Sequence, residues 1–319
     1  MTMGVLLVNL GTPDAPTPKA VRKYLREFLS DPRVVELPRF IWWIILYGFI
    51  LPFRSPKSAK LYQKIWTQEG SPLRVITCQQ AAKLQNYFGS KIKVVVGMRY
   101  GNPSLKSALL EFDKAKINKI LIFPLYPQYS SPSTGTVFDK VNEIIRSYRV
   151  HPEIRTIKDY YEDSSYIQAV ANTLKNNTSQ KILFSFHGLP QKFVDKGDVY
   201  FKQCHETVRK VTQILNLSEE KYGISFQSRL GRAPWLKPYT DLLLKQWAEE
   251  GVESVSVICP GFSADCLETL EEVNMQNRKI FLDAGGKNFN YISALNASDE
   301  HINVLAKLIE KNIQGWAND

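Results

Sequence analysis

Three apolar segments in the first half of this chain have counterparts of similar sequence, in the same order, in the second half. This duplication restricts the possible fold more than any other feature. Stretches with the periodicity of helices lie between the segments. Strands that alternate with helices form parallel sheets with right-handed crossovers. The sequence therefore predicts an α/β fold of two similar, doubly wound lobes with an active-site cleft. The matched segments are Val5–Pro13 with Ile182–Pro190, Val94–Arg99 with Ile224–Arg229, and Ile120–Pro124 with Ser256–Pro260.

The length of the chain also favours two domains, because 319 residues exceed the usual size of one. We predict an amino-terminal lobe over residues 1–155 and a carboxyl-terminal lobe over residues 156–319. The first lobe carries an insertion at about 31–75 that has no counterpart in the second. A helical apolar periodicity over 304–309 predicts a final helix that packs back.

The insertion contains an apolar segment, Phe40–Phe53, of fourteen residues without a charged side chain; we call it the apolar lip. It is shorter than the roughly 20 residues that a membrane-spanning helix needs. Two interpretations are open: a buried core helix, or an exposed surface that touches a membrane or covers a flat apolar ligand. Trp42 and Trp43, with Arg39 and Arg54 on the flanks, favour the exposed surface and imply peripheral membrane contact.

Positive charge is concentrated around the same insertion. The chain has a formal net charge of +10, and Lys19–Arg74 contributes eleven Lys/Arg against four Asp/Glu. Such a stretch favours an anionic partner. Nucleic acid is not the expected one, because no recognition motif accompanies the charge and the aromatic residues form a single block. The sequence also lacks the motifs of dinucleotide, phosphate-loop, serine-hydrolase and zinc-protease sites.

The cysteines and the amino terminus bear on location. The four cysteines, at positions 78, 204, 259 and 266, form no Cys-x-x-Cys pair. Neither a disulfide framework nor a cysteine-rich metal site is therefore indicated. The amino terminus leads directly into an apolar strand, with no basic start and no small-residue cleavage site. These features predict a cytoplasmic protein.

His187 ends the apolar strand predicted at Ile182–His187, and Gly188 and Pro190 break the backbone directly after it. Open α/β sheets bind their ligands at the carboxyl ends of strands. If the ring had only a structural role, the matching strand of the first half should carry a similar residue, but Leu10 stands there. We therefore predict that His187 is an active-site base rather than a core residue.

Acidic residues follow the third matched strand of the second half. Glu268 and Glu272 are four residues apart and share one helix face, whereas Glu271 is expected to be solvated. The first half has Pro132 opposite Glu268. His187 and Glu268 both follow carboxyl ends of parallel strands, which brings them to one crevice. This set has too few ligands to hold iron or zinc permanently, but it suits a divalent ion in transit and can accept protons.

Several long motifs, in order along nearly the whole chain, resemble those of the ferrochelatase family. The resemblance implies two Rossmann-like, chelatase-like lobes and the last step of haem synthesis, in which a lyase inserts Fe²⁺ into protoporphyrin IX and two protons are released. Ferrous iron and the porphyrin are then substrates, and no tightly bound cofactor is implied. The motifs are Phe184–Pro190 with Gly197–Tyr200, Phe123–Ser130 with Ser133–Gly135, Phe226–Gly231 with Pro234–Trp235, and Asp265–Leu270.

The resemblance also assigns roles to single residues. His187 matches the family histidine that takes pyrrole protons or holds the iron, and Glu268 matches its partner carboxylate. The division of labour between the two stays open. Both are implied as metal ligands, with Glu272 as a third candidate.

Porphyrin-binding residues are implied in the same way. Arg54, Tyr62 and Ser71 match positions that contact the porphyrin or its propionates, and Leu10 and Tyr129 are further candidates. Cationic and hydroxyl donors suit carboxylates, and the apolar lip suits the face of the macrocycle.

Three departures from the family pattern carry expectations of their own. Ser131 occupies the place of a cysteine in cluster-bearing relatives, and Leu295–Asp319 has no cysteine, so no [2Fe–2S] cluster is implied. Gln276 stands where a third carboxylate often follows, so the acidic row is incomplete. Leu10, where some relatives carry Met or Tyr, offers no side-chain ligand to the metal.

The sequence leaves three alternatives to this activity. A chelatase for coproporphyrin and a cobalt-directed chelatase are related enzymes, and a non-catalytic tetrapyrrole or metal carrier would bind haem without making it. The location implied for the enzyme is the cytoplasm, with peripheral contact at the inner membrane surface.

Overall fold

The computed structural model describes residues 3–231 and 233–316, which form two compact units. The second unit comprises Pro127–Tyr129 and Tyr160–Asn296. The first comprises the other described residues, including Ser130–Asp159. The domain boundary that we placed after residue 155 stays a prediction.

The first unit is built on a parallel sheet covered by helices. Its elements up to the boundary are β1 (Met3–Thr12), α1 (Pro18–Leu29), α2 (Arg39–Ile45), α3 (Leu51–Ile65), α4 (Pro72–Phe88), β2 (Ile92–Gly101), α5 (Leu105–Lys114), β3 (Lys119–Pro124), α6 (Thr136–Ile145) and β4 (Glu153–Thr156). The strand order is β2-β1-β3-β4. Leu6 and Val8 of β1 pack with Leu109 and Phe112 of α5 and with Val141 of α6, which places an apolar core against one face of the sheet.

The second unit repeats this architecture. Its elements are α7 (Ser164–Leu174), β5 (Lys181–His187), α8 (Gln191–Asp195), α9 (Tyr200–Leu215), β6 (Tyr222–Gln227), α10 (Thr240–Glu249), β7 (Ser254–Ile258), α11 (Arg278–Asp283) and β8 (Asn288–Ile292). The strand order is β6-β5-β7-β8, again parallel. Leu183 of β5 and Val257 of β7 pack with Leu244, Val273 and Phe281 in its core.

The predicted duplication is therefore confirmed at the level of strand order, and the predicted α/β class is confirmed with it. The register of the second matched pair is corrected. His187 pairs with Gln227, whereas Leu10 lies between the pairs Asn9–Met98 and Gly11–Tyr100, so Arg99 is its neighbour. Our alignment of Arg99 with Arg229 is thus two residues out, because similar apolar runs do not reveal which residues face each other across strands.

The last helix, α12 (Asp299–Ile313), belongs to the first unit and contacts α4, β3 and β4. Arg155 of β4 donates from Nη1 to the carbonyl oxygens of Asn312 and Gln314, at 3.1 and 2.6 Å. Its guanidinium also lies 4.3 Å from the ring centroid of Trp316. These contacts hold the segment from Asn312 to Trp316 on the edge strand β4.

The apolar lip forms α2, a π-helical turn over Leu46–Ile50 and the start of α3. Trp42 anchors it, because the indole is buried and its Nε1 donates to the Leu29 carbonyl oxygen at 2.7 Å. Phe40, Ile44 and Phe53 are instead 73, 68 and 67% exposed. Leu46 and Leu51 are buried as well, so the interpretation as a buried core helix holds for one face of the segment and is wrong for the exposed face.

Candidate active site

His187 is the last residue of β5, which lies between β6 and β7. The strand order reverses at this position, and ligands of open α/β sheets bind there, beyond the carboxyl ends. The ring is half-buried, and its Nδ1 lies 2.7 Å from the carbonyl oxygen of Gly188. A carbonyl only accepts, so Nδ1 donates and Nε2 of the neutral ring keeps its lone pair. The backbone thus fixes a tautomer that can accept a proton at Nε2.

Gly188 ties the end of β5 to β6. Its N–H donates to the Gln227 carbonyl oxygen at 2.7 Å. A Cβ at this position would lie 2.7 Å from the same oxygen and 3.3 Å from the Trp235 ring. Only glycine allows this approach, which explains the sharp break after His187.

Glu268 and Glu272 lie on a ten-residue π-helix, Glu268–Asn277, that follows β7. Burial raises the pKa of Glu272 above its ordinary value. Hydrogen bonds from Ser228 and the charge of His187 oppose this rise in the pKa, and the charge of Glu268 adds to it. The structure therefore brings His187, Glu268 and Glu272 within electrostatic reach of one another in the second unit.

Ser228 holds the carboxylate of Glu272. Its N–H donates to Oε1 at 2.7 Å, and its hydroxyl donates to the other carboxylate oxygen. The backbone of Ser228 has φ +66°, in the left-handed region that non-glycine residues seldom adopt. This conformation lets one residue present two donors to one carboxylate.

Two groups hold Glu268, one at its backbone and one at its side chain. The Gln227 side chain donates from Nε2 to the Glu268 carbonyl oxygen at 3.0 Å. The thiol of Cys266 hydrogen-bonds to the Glu268 carboxylate, and burial followed by the charge of Glu268 raises the pKa of this thiol well above its ordinary value. Cys266 is therefore a neutral donor beside the carboxylate.

Asp265 anchors the loop that leads into the π-helix. Its buried carboxylate accepts from Thr269 Oγ1 at 2.9 Å and from Asn296 Nδ2 at 2.8 Å, and it also accepts from the Tyr291 hydroxyl. These donors satisfy the hydrogen-bonding capacity of the buried carboxylate. The segment before Glu268 is thereby fixed to the end of the second unit.

The expectation for Glu271 is wrong: this side chain is buried rather than solvated. The physical reason is the π-helical geometry, in which residues five apart are hydrogen-bonded neighbours on successive turns. Gln276 is five residues further on and donates from Nε2 to the Glu271 carboxylate. Gln276, which interrupts the acidic row, is thus the partner of a buried acid.

Four of the predicted porphyrin-binding residues lie in the first unit. Leu10, near the end of β1, is half-buried. Ser71 lies beside the end of that strand, since its hydroxyl accepts from Thr12 Oγ1 at 2.8 Å. Arg54 and Tyr62 lie eight residues apart on α3. Tyr62 is buried, and its ring packs edge-on against Trp66 at 6.1 Å.

The fifth predicted porphyrin-binding residue, Tyr129, belongs to the second unit. Its N–H donates to Gln203 Oε1 at 2.6 Å, and Gln203 lies on α9. The neighbouring Gln128 donates from Nε2 to Thr207 Oγ1 on the same helix. This short segment is therefore held to α9 by two side chains.

Residues 3–231 and 233–316 contain no group of three or more His, Cys, Asp or Glu side chains arranged to hold a metal ion. No helix among them is both long and apolar enough to cross a membrane. A permanent metal site of three such ligands is therefore absent from these ranges.

Sequence reasoning did not single out Gln227, Ser228, Cys266 or Asp265 as parts of this site. All four lie inside motifs that carried the family resemblance, namely Phe226–Gly231 and Asp265–Leu270. Their roles depend on strand register and on a helix that begins elsewhere in the chain. The signal available in the sequence was that these polar residues belong to motifs at the ends of predicted strands.

Comparison with known proteins extends these observations to the whole chain. The sequence profile of the ferrochelatase family matches residues 2–313. A ferrochelatase of Thioalkalivibrio sulfidiphilus is 49% identical over 98% of this chain and 88% of its own length. One from Alcanivorax borkumensis is 50% identical over 98% and 95%, and one from Actinobacillus pleuropneumoniae is 50% identical over 98% of both chains.

Solved structures of chelatases share the fold. SirB from Bacillus subtilis with Fe³⁺ gives a TM-score of 0.58 at 10% identity, over 99% of this chain and 97% of that one. The sirohydrochlorin chelatase SirB from Bacillus subtilis subspecies spizizenii, in complex with cobalt, gives 0.61 at 9%, over 100% and 98%.

The fold is accordingly that of the chelatases, with a histidine and carboxylates at the switch point of one sheet. The extent and identity of the sequence matches go further: this chain belongs to the ferrochelatase family. It is an enzyme of the lyase class that inserts ferrous iron into a porphyrin in haem synthesis. The alternatives of a carrier or of another chelatase are not favoured.

Proposed function

We propose that His187 and Glu268 carry out the insertion of iron into protoporphyrin IX, with His187 as the acceptor of pyrrole protons. The observation that carries this assignment is the fixed tautomer of His187, whose Nδ1 faces the Gly188 carbonyl and leaves Nε2 as the acceptor. Two pyrrole N–H bonds break as iron–nitrogen bonds form. Nε2 of His187 accepts the two protons one after the other and releases the first to solvent before it takes the second, and nearby Glu268 balances the charge of the imidazolium each time.

The proposed ligands of the iron in transit are His187, Glu268 and Glu272. Carboxylates and imidazole suit a divalent ion that must leave again, because a site with few ligands releases its metal readily. We expect Glu268→Gln to lower kcat by roughly a hundredfold, in the range usual for loss of a group that stabilises a charge formed during the reaction. Glu272→Gln should mainly raise the KM for Fe²⁺. The exposed Glu219→Gln is the matched control, and equal effects of all three would contradict the assignment.

Arg54, Tyr62 and Ser71 are the proposed porphyrin-binding residues, together with Leu10 and Tyr129. A guanidinium and hydroxyls suit the propionates, and the lip suits the macrocycle face. We expect Arg54→Ala to raise the KM for porphyrin about tenfold with a smaller change in kcat, since a charged hydrogen bond is worth about 1.5–3 kcal/mol. Lys60→Ala, exposed on the same helix, is the control. An unchanged KM in Arg54→Ala would remove this residue from the site.

The substrate proposed is the porphyrin with two propionates. Initial rates of Fe²⁺ insertion, measured with protoporphyrin IX and with coproporphyrin at equal concentrations, test this choice. We expect the higher kcat/KM with protoporphyrin IX. A higher value with coproporphyrin would transfer the proposal to the alternative chelatase.

We also propose that the enzyme works without a [2Fe–2S] cluster. Three of the cysteines have separate partners: Cys204 bonds with Tyr200, Cys259 donates to Gln227, and Cys266 bonds with Glu268. Cys78 lies apart from them on α4. Protein purified under anaerobic conditions should show no iron–sulfur absorption and no cluster signal in electron paramagnetic resonance. A stoichiometric signal would contradict the proposal.

The proposed location is the cytoplasm, with the apolar lip resting on the inner membrane surface. Exposed aromatic and aliphatic side chains within a basic stretch suit an anionic bilayer. The test is flotation with vesicles that contain anionic lipid. Because Trp42 is buried, the variant replaces Phe40, Trp43 and Ile44 with Ser, and Leu242→Ser, equally exposed in the second unit, is the control. Undiminished flotation of the triple variant would contradict the proposal.

A further inference from the structure

We propose that Gln227 is a positioning residue that fixes Glu268 relative to His187. The inference rests on the proposed function of those two residues. Gln227 is the last residue of β6, pairs with His187 in the sheet register, and is 2% exposed. It therefore stands directly between the strand that carries the histidine and the helix that carries the acid.

Both its backbone and its side chain take part. The carbonyl oxygen accepts from Gly188 N at 2.7 Å, next to His187. The side-chain Nε2 donates to the Glu268 carbonyl oxygen at 3.0 Å. Gln227 is thus hydrogen-bonded both to Gly188, next to the proposed base His187, and to the backbone of its partner Glu268. A shift of either hydrogen bond would therefore change the distance between His187 and Glu268.

Buried hydroxyls hold the side-chain amide of Gln227 in one orientation. Ser185 donates to Gln227 Oε1 at 2.7 Å, and Ser185, Thr240 and Ser225 are linked in series at 2.9 Å. Each hydroxyl has a single proton. Since that of Ser185 goes to Gln227, Thr240 must donate to Ser185, and Ser225 must donate to Thr240. The chain of donors runs in one direction and ends at the Glu268 carbonyl.

The first unit shows which part of this arrangement the fold itself requires. Arg99, the neighbour of Leu10 on β2, donates from Nε to the carbonyl oxygen of Thr136 at 2.9 Å. Thr136 begins the helix that follows β3. In both units, therefore, a side chain near the end of an edge strand donates a hydrogen bond to a backbone carbonyl of the helix that follows the third strand of that unit. Only in the second unit does that carbonyl belong to an acid of the proposed site.

The variant that tests the inference is Gln227→Met, which keeps the length and removes the side-chain hydrogen bonds with Ser185, Cys259 and Glu268. We expect kcat for Zn²⁺ or Fe²⁺ insertion to fall roughly ten- to a hundredfold, because displacement of a reacting group by about 1 Å has effects of this size. The KM for porphyrin should stay near that of the wild type. The matched control is Gln180→Met, at the other end of β5, which loses two hydrogen bonds to backbone N–H groups of Glu253 and Ser254.

Two further variants distinguish positioning from a general loss of structure. Ser185→Ala should lower kcat by a smaller factor than Gln227→Met does. Because Ser185 acts through Gln227, the double variant Ser185→Ala/Gln227→Met should be no slower than Gln227→Met alone. In a Glu268→Gln background, Gln227→Met should change the residual rate little. Rates are compared well below the melting temperature of each variant, with porphyrin binding measured by fluorescence.

The outcomes separate the two proposals. Wild-type kcat in Gln227→Met, or an equal loss in the Glu268→Gln background, overturns the positioning role and leaves the roles of His187 and Glu268 intact. A Glu268→Gln enzyme that turns over normally overturns the proposed function itself.

Discussion

The two units of this protein have the same strand order but different side chains at the strand ends. The first unit has Leu10 near the end of its central strand, at the position that matches His187 in the second. The helix after β3 begins with the short π-helical turn Ser131–Gly135, which contains no acid, whereas the helix after β7 begins with the π-helix Glu268–Asn277. The two units thus share one architecture, and the residues of the proposed site lie at the strand ends of the second.

The comparison teaches which features belong to the fold and which to the chemistry. The parallel order, the glycine directly after the matched position (Gly11 and Gly188) and the hydrogen bond from strand to helix occur in both units, so they maintain the structure. The imidazole, the carboxylates and the Ser228 donors occur in the second unit alone. The first unit instead has a buried ion pair, in which Arg99 donates to Asp31 beside the Tyr100 hydroxyl.

The largest expected effect is the loss of turnover when His187 is removed, a loss that a histidine at the matching position of the first unit should not reverse. We expect His187→Ala to lower turnover by roughly a hundredfold to ten thousandfold, the range for loss of a general base. Leu10→His in the same chain should not restore it, because the π-helical turn Ser131–Gly135 has no acid to pair with a new imidazole. Steady-state rates of the single and double variants check this expectation, and recovery in the double variant would break the comparison.

A second prediction concerns the ion pair of the first unit. Arg99→Met should lower the free energy of unfolding by about 3–5 kcal/mol, because it leaves the buried Asp31 without its partner. Lys23→Met, which breaks the exposed pair with Asp14, should cost less than about 1 kcal/mol. Urea unfolding followed by circular dichroism measures both. Equal losses in the two variants would show that the buried pair adds nothing to the stability of this unit.

The smallest expected effect is a pH dependence in the second unit. Burial lowers the pKa of His205, whose ring lies 4.4 Å from that of Phe201. Lys202, Glu206 and Arg209 line the same surface pocket. Between the lowered pKa and the unfolded value of about 6.5, the unfolded chain binds more protons, so stability rises as pH rises through this window.

His205→Gln removes this titration and should flatten the rise in the free energy of unfolding over that window. His151→Gln, at an exposed histidine of the first unit, serves as the control for a His→Gln substitution. A profile of His205→Gln identical to that of the wild type would show that another group titrates there.

The sequence allowed prediction of the features that local patterns determine. The apolar runs predicted the strands, and the break by Gly188 and Pro190 predicted that β5 ends at His187. The α-helical period misplaced Glu271, because the π-helix depends on packing of the second unit rather than on its own residues. The apolar patterns also matched Arg99 with Arg229, whereas the strand pairing matches Arg99 with Gln227. The role of Gln227 followed only when the paired strands were known.

The apolar lip shows the same limit. Its fourteen uncharged residues fit a core helix or an exposed surface equally well on composition alone. Burial of Trp42 and exposure of Phe40 and Ile44 depend on how α2 lies against α1, which a local pattern does not encode. Sequence could identify the segment, and tertiary structure was needed to assign its faces.

The central claim is that His187, and no histidine outside the second unit's switch point, accepts the protons that metal insertion releases. Single-turnover insertion of Zn²⁺ into preloaded porphyrin, followed by fluorescence in His187→Ala and in the control His151→Ala, tests it most directly. The account predicts a rate constant lower by at least roughly a hundredfold in His187→Ala, with unchanged porphyrin affinity and a normal control. A wild-type rate constant in His187→Ala, with porphyrin still bound, would contradict it.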